Sequence, residues 1–524
     1  MELTASNFLL ACLMCASVWF LKPQNARVLS KSQAPASLQT QEIEGQAEEV
    51  KLREAMKRSP NDPSYPARLG ALLASQNKLE EAVRYFEKAL TLNPKDFITR
   101  RNLAACYWQL GKLPEARKNL ETILEAKPDD TWSTLFLGMV SEDLGDHKAA
   151  AKLLGEVLPL VAERPETIAS LARAYYHLGE TRKARDTLQM LAGHPAWTEA
   201  AFQGGRVAAE CGDYETAEKM FLSIRAAYPD PAVLNYNLAL AQYSARRYAD
   251  CENTLQDSIA QGHGTSDVYA LLGRAYQKQD RLPDLLAAFE KAINLDPLNQ
   301  AIYLDLGRAL LDKRNYATAM EVAKETLRRF PTSSRAYSLK GSIELGMDVL
   351  TEAKKSYTKA IELDPNDPTA ALGLALTQWN ASQDAEAARS FEDGVHRFPG
   401  DAFFLLKYAL FLLNSPEEND TGTVARIKAL LKRSEELDDS IAETHFQLGN
   451  LAMKENMYDE ALKELEIAAR QDPDLAKAHY GLARLYRRMG RAEDGAKETE
   501  IFNKLKVKEG QNADSNAAIG ARHH

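Results

Sequence analysis

The chain has 524 residues, 27% of them charged and 45% apolar, with a formal net charge of −9 and a pI near 5.7. That balance argues against nucleic acid as the main ligand, because phosphate binding needs a clustered positive field. Five cysteines dispersed along the chain do not make a disulfide framework.

The first feature along the chain is a run from residue 3 to 21 without a charged side chain. It is close to the ~20 residues of a membrane helix and longer than the ~7–15 of a signal-peptide core. No basic residue precedes it, and Lys22, Arg27 and Lys31 follow it. Residues 1–21 are therefore expected to be an apolar anchor or a cleaved signal segment. On this reading the protein is membrane-associated through them, or exported after their removal, with the side of the membrane left open. Residues 22–42 are rich in Gln, Ser and Ala without periodicity and read as a flexible linker.

From about residue 43 to 508 the chain repeats itself. Thirteen positions hold only Gly or Ala: Gly70, Ala104, Gly138, Ala172, Gly205, Ala239, Gly273, Gly307, Gly341, Ala375, Ala409, Gly449 and Ala483. Successive members lie 34 residues apart ten times, with one step of 33 and one of 40. When this residue is numbered 8 in its repeat, position 7 is Leu in ten repeats and position 20 is Ala in nine. Position 24 is large and apolar, as at Phe86, Phe221, Phe289 and Phe391, and position 32 is often Pro. Apolar residues at 7, 8 and 11 and again at 20, 24 and 27 give two amphipathic helices per repeat. The proline closes the second helix, because it cannot continue it. Positions 8 and 20 are expected to mark the closest approach of the two helices. Leu52, Ala55 and Pro60 match positions 24, 27 and 32, so residues 43–62 read as a half repeat that caps residues 63–508. Residues 509–524 read as a disordered tail.

Nothing in the remaining chain is long enough for a catalytic domain, and no Gly-rich phosphate loop, paired-His helix or Gly-x-Ser-x-Gly elbow occurs. The nine histidines are scattered. No enzymatic activity, cofactor, metal or small-molecule substrate is expected. Cys251 falls at position 20 and is expected to be a buried spacer.

The Leu-Gly…Tyr…Ala…Phe…Ala…Pro framework resembles the tetratricopeptide repeat, over about 465 residues. The resemblance implies an all-α, right-handed superhelical solenoid of about thirteen antiparallel helix pairs. In that family the concave face is lined by positions 2, 5, 9, 12 and 13 of each first helix. Here those positions hold Trp108, Trp132, Leu135, Tyr176, Phe202, Tyr236 and Tyr243, with Met139 among them, and later Trp379 and Phe403. They are the expected partner groove, since aromatic residues are frequent interface anchors. The family's carboxylate clamp needs Lys and Asn where the first repeat has Ala67 and Ala71, so it is not expected there. The last repeat carries Arg484, Arg487, Arg488 and Arg491, which read either as a solubilising cap or as a docking patch for an acidic partner. Six extra residues separate the helices of the eleventh repeat. The resemblance implies a non-catalytic scaffold that binds other proteins or peptides. Alternatives are a secreted or periplasmic assembly factor of envelope or secretion machinery, or the recognition subunit of an enzyme carried on another chain.

Overall fold

The computed structural model describes residues 36–520 apart from 161–163, 193, 195 and 417, with side chains described within 46–508 save that of residue 166 as well. Among them there are helices and no strand. The chain divides into two compact units at residues 264 and 265.

The first unit holds α1 (Ala36–Arg58) and six pairs: α2 (Ser64–Ser75) with α3 (Leu79–Leu92), α4 (Phe97–Gln109) with α5 (Leu113–Ala126), α6 (Thr131–Asp143) with α7 (His147–Val157), α8 (Pro165–His177) with α9 (Thr181–Gln189), α10 (Thr198–Glu210) with α11 (Tyr214–Ser223), and α12 (Pro231–Ser244) with α13 (Tyr248–Ala260). The second holds seven: α14 (Ser266–Lys278) with α15 (Leu282–Leu295), α16 (Gln300–Asp312) with α17 (Tyr316–Arg329), α18 (Ser334–Gly346) with α19 (Leu350–Leu363), α20 (Pro368–Asn380) with α21 (Asp384–Arg397), α22 (Ala402–Leu413) with α23 (Thr421–Leu437), α24 (Ala442–Lys454) with α25 (Tyr458–Gln471), and α26 (Ala476–Arg488) with α27 (Ala492–Gly520). Within each unit a first helix packs on its own second helix, which as a rule packs on the first helix of the next repeat.

Local chemistry explains the boundaries. Eight of the thirteen first helices begin behind a capping side chain that fills one orphan N–H, as where Asp96 accepts from Thr99 at 3.2 Å and Asp401 accepts from Phe404 at 2.9 Å. They end in a recurring Schellman turn. In the second repeat Lys112 N–H donates to Tyr107 O at 2.8 Å and Gly111 N–H to Trp108 O at 2.9 Å. The residue at position 15 takes a left-handed conformation in twelve of the thirteen repeats, for example Gly111 at φ 72°, Arg246 at 62° and Arg314 at 54°. The eleventh repeat lacks this turn because its extra residues separate α22 from α23.

The small residues at position 8 have a different partner from the one expected. A Cβ on Gly70, Gly205 or Gly273 would lie 2.7 Å from the ring of Phe86, Phe221 or Phe289, each at position 24 of the same repeat. Position 20 is a second close contact: its nine alanines and Cys251 are fully buried. Burial pushes the Cys251 thiol up to about 12, as suits an inert spacer.

Three expectations change. The localisation reading is corrected: among the described residues no helix is long and apolar enough to cross a membrane, and residues 1–21 lie outside the described residues. Membrane association is therefore dropped. Helix α1 begins inside the segment read as a linker, because residues 36–42 have good helix formers and no proline to stop them. Helix α27 continues to Gly520 through the segment read as a disordered tail, which likewise contains no proline.

Candidate functional site

The aromatic residues of repeats two to six are largely used within the stack. Trp108 Nε1 donates to Asp143 Oδ2 of the next repeat at 2.5 Å. Tyr176 donates to Asp213 Oδ2 at 2.8 Å, and Arg185 Nε donates to the same oxygen at 2.6 Å. Burial alone would raise Asp213, but hydrogen bonds from Arg185, Tyr176 and Thr216 hold it below the usual carboxylate range. Phe202 is 5% exposed and stacks on Tyr228 with centroids 4.7 Å apart. Leu135 and Met139 are buried in the core beside Phe136. Tyr236 is half-buried, and Tyr243 sits edge-on to Tyr248 at 5.5 Å. Trp132 is the most open of the set at 38%, with the Arg164 guanidinium 4.3 Å from its ring centroid. Leu135 and Phe202, expected in the groove, are instead core residues, Phe202 lying against Phe221 and Tyr228 of its own repeat.

In the second compact unit Trp379 is half-buried, with its edge against Phe391 and Phe411. Phe403 is 48% exposed beneath the Lys407 ammonium at 4.7 Å. The terminal arginines divide into two pairs. Arg487 donates to Thr499 at 2.7 Å, and Arg491 pairs with Asp494 and lies over the Tyr486 ring, so both turn to their own repeat. Arg484 and Arg488 instead line a cleft of about 680 Å³ formed by α22, α24 and α26.

This cleft is built from the same two positions of three successive first helices. Position 9 supplies Leu410, Asn450 and Arg484, and position 13 supplies Asn414, Lys454 and Arg488. Leu413, Gln447, Leu451 and Met453 lie among them, and Asn456 closes one end. No acidic side chain lines the cleft. Lys454 has Glu418 at 3.9 Å outside it, whereas Arg484 and Arg488 make no ion pair among the described residues. A cation left without a carboxylate beside apolar and amide groups suits an anionic, partly apolar segment. Sequence reading found the arginines and missed Asn414, Gln447, Asn450 and Lys454. The signal was available in the polar residues at positions 9 and 13 of consecutive repeats.

Two further titratable clusters stand out. His445 Nδ1 lies 2.7 Å from Glu464 Oε2, and its Nε2 lies 2.8 Å from the Asp439 carbonyl oxygen. His479 repeats the arrangement one repeat later, with Glu498 at 2.6 Å and the Pro473 carbonyl at 3.1 Å. The other cluster joins Glu142, His147 and His177.

Profiles described as Tetratricopeptide repeat match residues 73–135, 170–194 and, for one of them, 107–166, 202–252, 271–334, 340–402 and 446–500. Among curated proteins the chain is 21% identical over 341 residues to a BBSome complex member, BBS4, of Bos taurus, covering 65% of this chain and 58% of that protein. It is 24% identical over 197 residues to the Hsp70-Hsp90 organizing protein 3 of Arabidopsis thaliana, covering 37% of this chain and 33% of that one. It is also 24% identical over 293 residues to the human Protein O-mannosyl-transferase TMTC3, covering 52% of this chain and 31% of that protein. The chain thus spans little more than half the length of the first of these relatives, and less of the others. Among solved structures, yeast Tom70 aligns with a TM-score of 0.40 at 18% identity, covering 88% of this chain and 96% of that one. The repeated helix pair, its small-residue contacts and a profile matching more than half of the residues lead to one conclusion: the chain belongs to the tetratricopeptide repeat family, whose arrays serve as protein-interaction scaffolds.

Proposed function

We propose that this chain is a non-catalytic scaffold that grips an acidic, partly apolar segment of a partner protein in the cleft between α22, α24 and α26. The observation that carries this reading is the convergence of Lys454, Arg484 and Arg488 in a cleft without a lining carboxylate. A chain with a net charge of −9 that keeps three cations together in this way has a local field opposite to its overall one. Asn450 supplies an amide donor and acceptor for a peptide backbone. Asn414 and Gln447, whose amide nitrogens already donate to Leu410 and Glu443, add their side-chain oxygens as acceptors, and Leu410, Leu413 and Met453 supply apolar contact. The similarity to proteins named for organizing two chaperones supports a peptide-holding role. The aromatic face of repeats two to six supports it less well, since the polar atoms of Trp108 and Tyr176 are already paired within the stack.

The test is fluorescence polarisation with labelled peptides of alternating Glu and Leu, against peptides in which Gln replaces Glu. The acidic peptide is expected to bind more tightly, to weaken with salt, and to lose about tenfold or more in affinity on Arg484→Glu with Arg488→Glu. Equal binding of the acidic and neutral peptides, or binding unchanged in the double variant, refutes the reading.

A further inference from the structure

We propose that Glu142, His147 and His177 form a binding site for a divalent transition metal of the zinc type, clipping the third repeat to the fourth. No metal-motif spacing announced it in the sequence, where the three residues are separated by 5 and 30 positions. The fold brings them together. Glu142 lies near the end of α6, His147 is the first residue of α7, and His177 is the last residue of α8. One ligand atom from each lies within 4.8 Å of the other two.

The geometry of the closest pair fits a shared ion. Glu142 Oε2 and His147 Nδ1 are 3.2 Å apart. Two ligands bound at about 2.0–2.2 Å in a tetrahedron stand roughly 3.3–3.6 Å from one another. The His177 ring lies on the His147 ring with centroids 4.1 Å apart and planes 12° apart. His177 is exposed, so a modest rotation about its side-chain bonds brings a ring nitrogen to the third vertex. The fourth vertex then faces water. Two imidazoles and one carboxylate with an open position are a donor set that zinc accepts.

A hydrogen bond between Glu142 and His147 accounts for the 3.2 Å by itself, so the argument needs an independent observation. Charge balance supplies one. Among the described residues five carboxylates are buried: Glu142, Asp213, Glu218, Glu344 and Glu464. Four of them have a basic side chain in reach, namely Arg185 for Asp213, Arg247 for Glu218, Lys340 for Glu344 and Lys432 for Glu464. Among the described residues Glu142 has only His147, which carries no charge when neutral. Buried charges are paired or coordinate metals. A divalent ion held by both imidazoles gives Glu142 the positive partner that its four counterparts already have. The cluster of Glu435, His445 and Glu464 makes the contrast: there Lys432 already supplies the charge beside Glu464, and the second nitrogen of His445 is held by the Asp439 carbonyl.

The test is titration of the full-length, chelator-treated protein with cobalt(II), followed by visible absorption, with zinc as competitor. The wild type is expected to bind one cobalt with the ligand-field bands of a four-coordinate nitrogen and oxygen site, and zinc to remove them. His177→Ala and Glu142→Gln are each expected to lose about 100-fold or more in affinity, whereas His396→Ala keeps it. His177 is exposed, so its variant is expected to match the wild type in circular dichroism and in metal-free melting. Zinc should raise the melting temperature of the wild type and leave that of His177→Ala unchanged. Absence of the cobalt bands in the wild type, or equal affinity in the wild type and His177→Ala, overturns the proposal.

Discussion

Where glycine at position 8 faces phenylalanine at position 24, their close packing is expected to limit what the helix pair tolerates, and it is testable at Gly273 and Phe289. An alanine Cβ at 273 would stand 2.7 Å from two ring carbons of Phe289, where ordinary contact begins at 3.4 Å. The ring would need to move by about 0.7 Å to restore contact, and Phe289 is fully buried, so its neighbours must move as well. Overpacking of this kind costs roughly 1–3 kcal/mol. Replacing a helical glycine with alanine returns about 1 kcal/mol. Gly273→Ala is therefore expected to lose ~1 kcal/mol net. Phe289→Leu alone leaves a void beside the glycine and is expected to cost about 1–2 kcal/mol. Together the two changes recreate a pairing that the chain already uses, with Ala104 and Leu120, Ala172 and Leu188, and Ala239 and Leu255 at the same positions, all buried. The double variant is expected to be more stable than the sum of the single effects by ~1–2 kcal/mol.

Amide hydrogen exchange over α14 and α15 is the suitable assay, because a long repeat array opens locally and a single global unfolding energy is poorly defined for it. Effects that add within ~0.5 kcal/mol would refute the packing argument. Gly307 is a weaker probe. A Cβ there would meet a methyl of Leu339, the far end of a flexible side chain, because its own position 24 is only Ala323.

Other expectations follow from the same geometry. Arg246→Gly and Arg314→Gly relieve left-handed backbones at φ 62° and 54°, and each should stabilise its turn by ~1 kcal/mol in hydrogen exchange. Tyr176→Phe should cost about 1–2 kcal/mol, since it removes a hydrogen bond to the charged Asp213, and should leave peptide capture at α22, α24 and α26 unchanged. The hydrogen bond that His445 donates to Glu464, opposed by burial at each group, raises His445 above its ordinary 6.5 and lowers Glu464 below its ordinary 4.5. The His445 contribution is then complete below about pH 6.5 and lost as pH rises through its raised value; that of Glu464 is complete above about pH 4.5 and lost as pH falls through its lowered value. Protection of α24 and α25 should accordingly be highest between those limits, and His445→Gln should flatten the alkaline limb of the profile.

The fold was legible because its determinants recur. A glycine at one site is weak evidence, but Gly70, Gly205 and Gly273 facing Phe86, Phe221 and Phe289 repeat one steric relation at a fixed spacing. The left-handed turn at position 15 was less visible, because Asn, Arg, Asp and Ser occupy it in seven repeats and only the backbone reveals the shared conformation. The candidate site was harder for the opposite reason: binding positions need not recur. Reading groove positions one residue at a time favoured large apolar side chains. It could not separate Trp132, which is open, from Leu135 and Phe202, which are buried.

Contacts between repeats also decide which charges remain available. Arg117 is spent on Asp146 and Arg185 on Asp213, both in the following repeat, and Arg247 on Glu218 of the preceding one, so a cation at a second helix commonly finds its anion in a neighbouring repeat. An exposed pair such as Arg117 with Asp146 contributes little, ~0–1 kcal/mol, whereas the buried carboxylates of Asp213 and Glu218 need their arginines to remain charged. Arg484 and Arg488 sit on a first helix instead, on the cleft side, and no such partner reaches them among the described residues. Register alone does not free them: Arg173 and Arg274 hold the same position 9 as Arg484 and pair with Glu210 and Asp305 of the next repeat, whereas the cleft beside Arg484 and Arg488 has no lining carboxylate. A carboxylate moved into that register, as in Asn450→Asp, should pair with Arg484 from the neighbouring helix and compete with an acidic peptide. Weakened capture with unchanged helicity is the expected outcome, and tighter or equal capture of the acidic peptide by that variant would show that the cleft's charge does not govern binding.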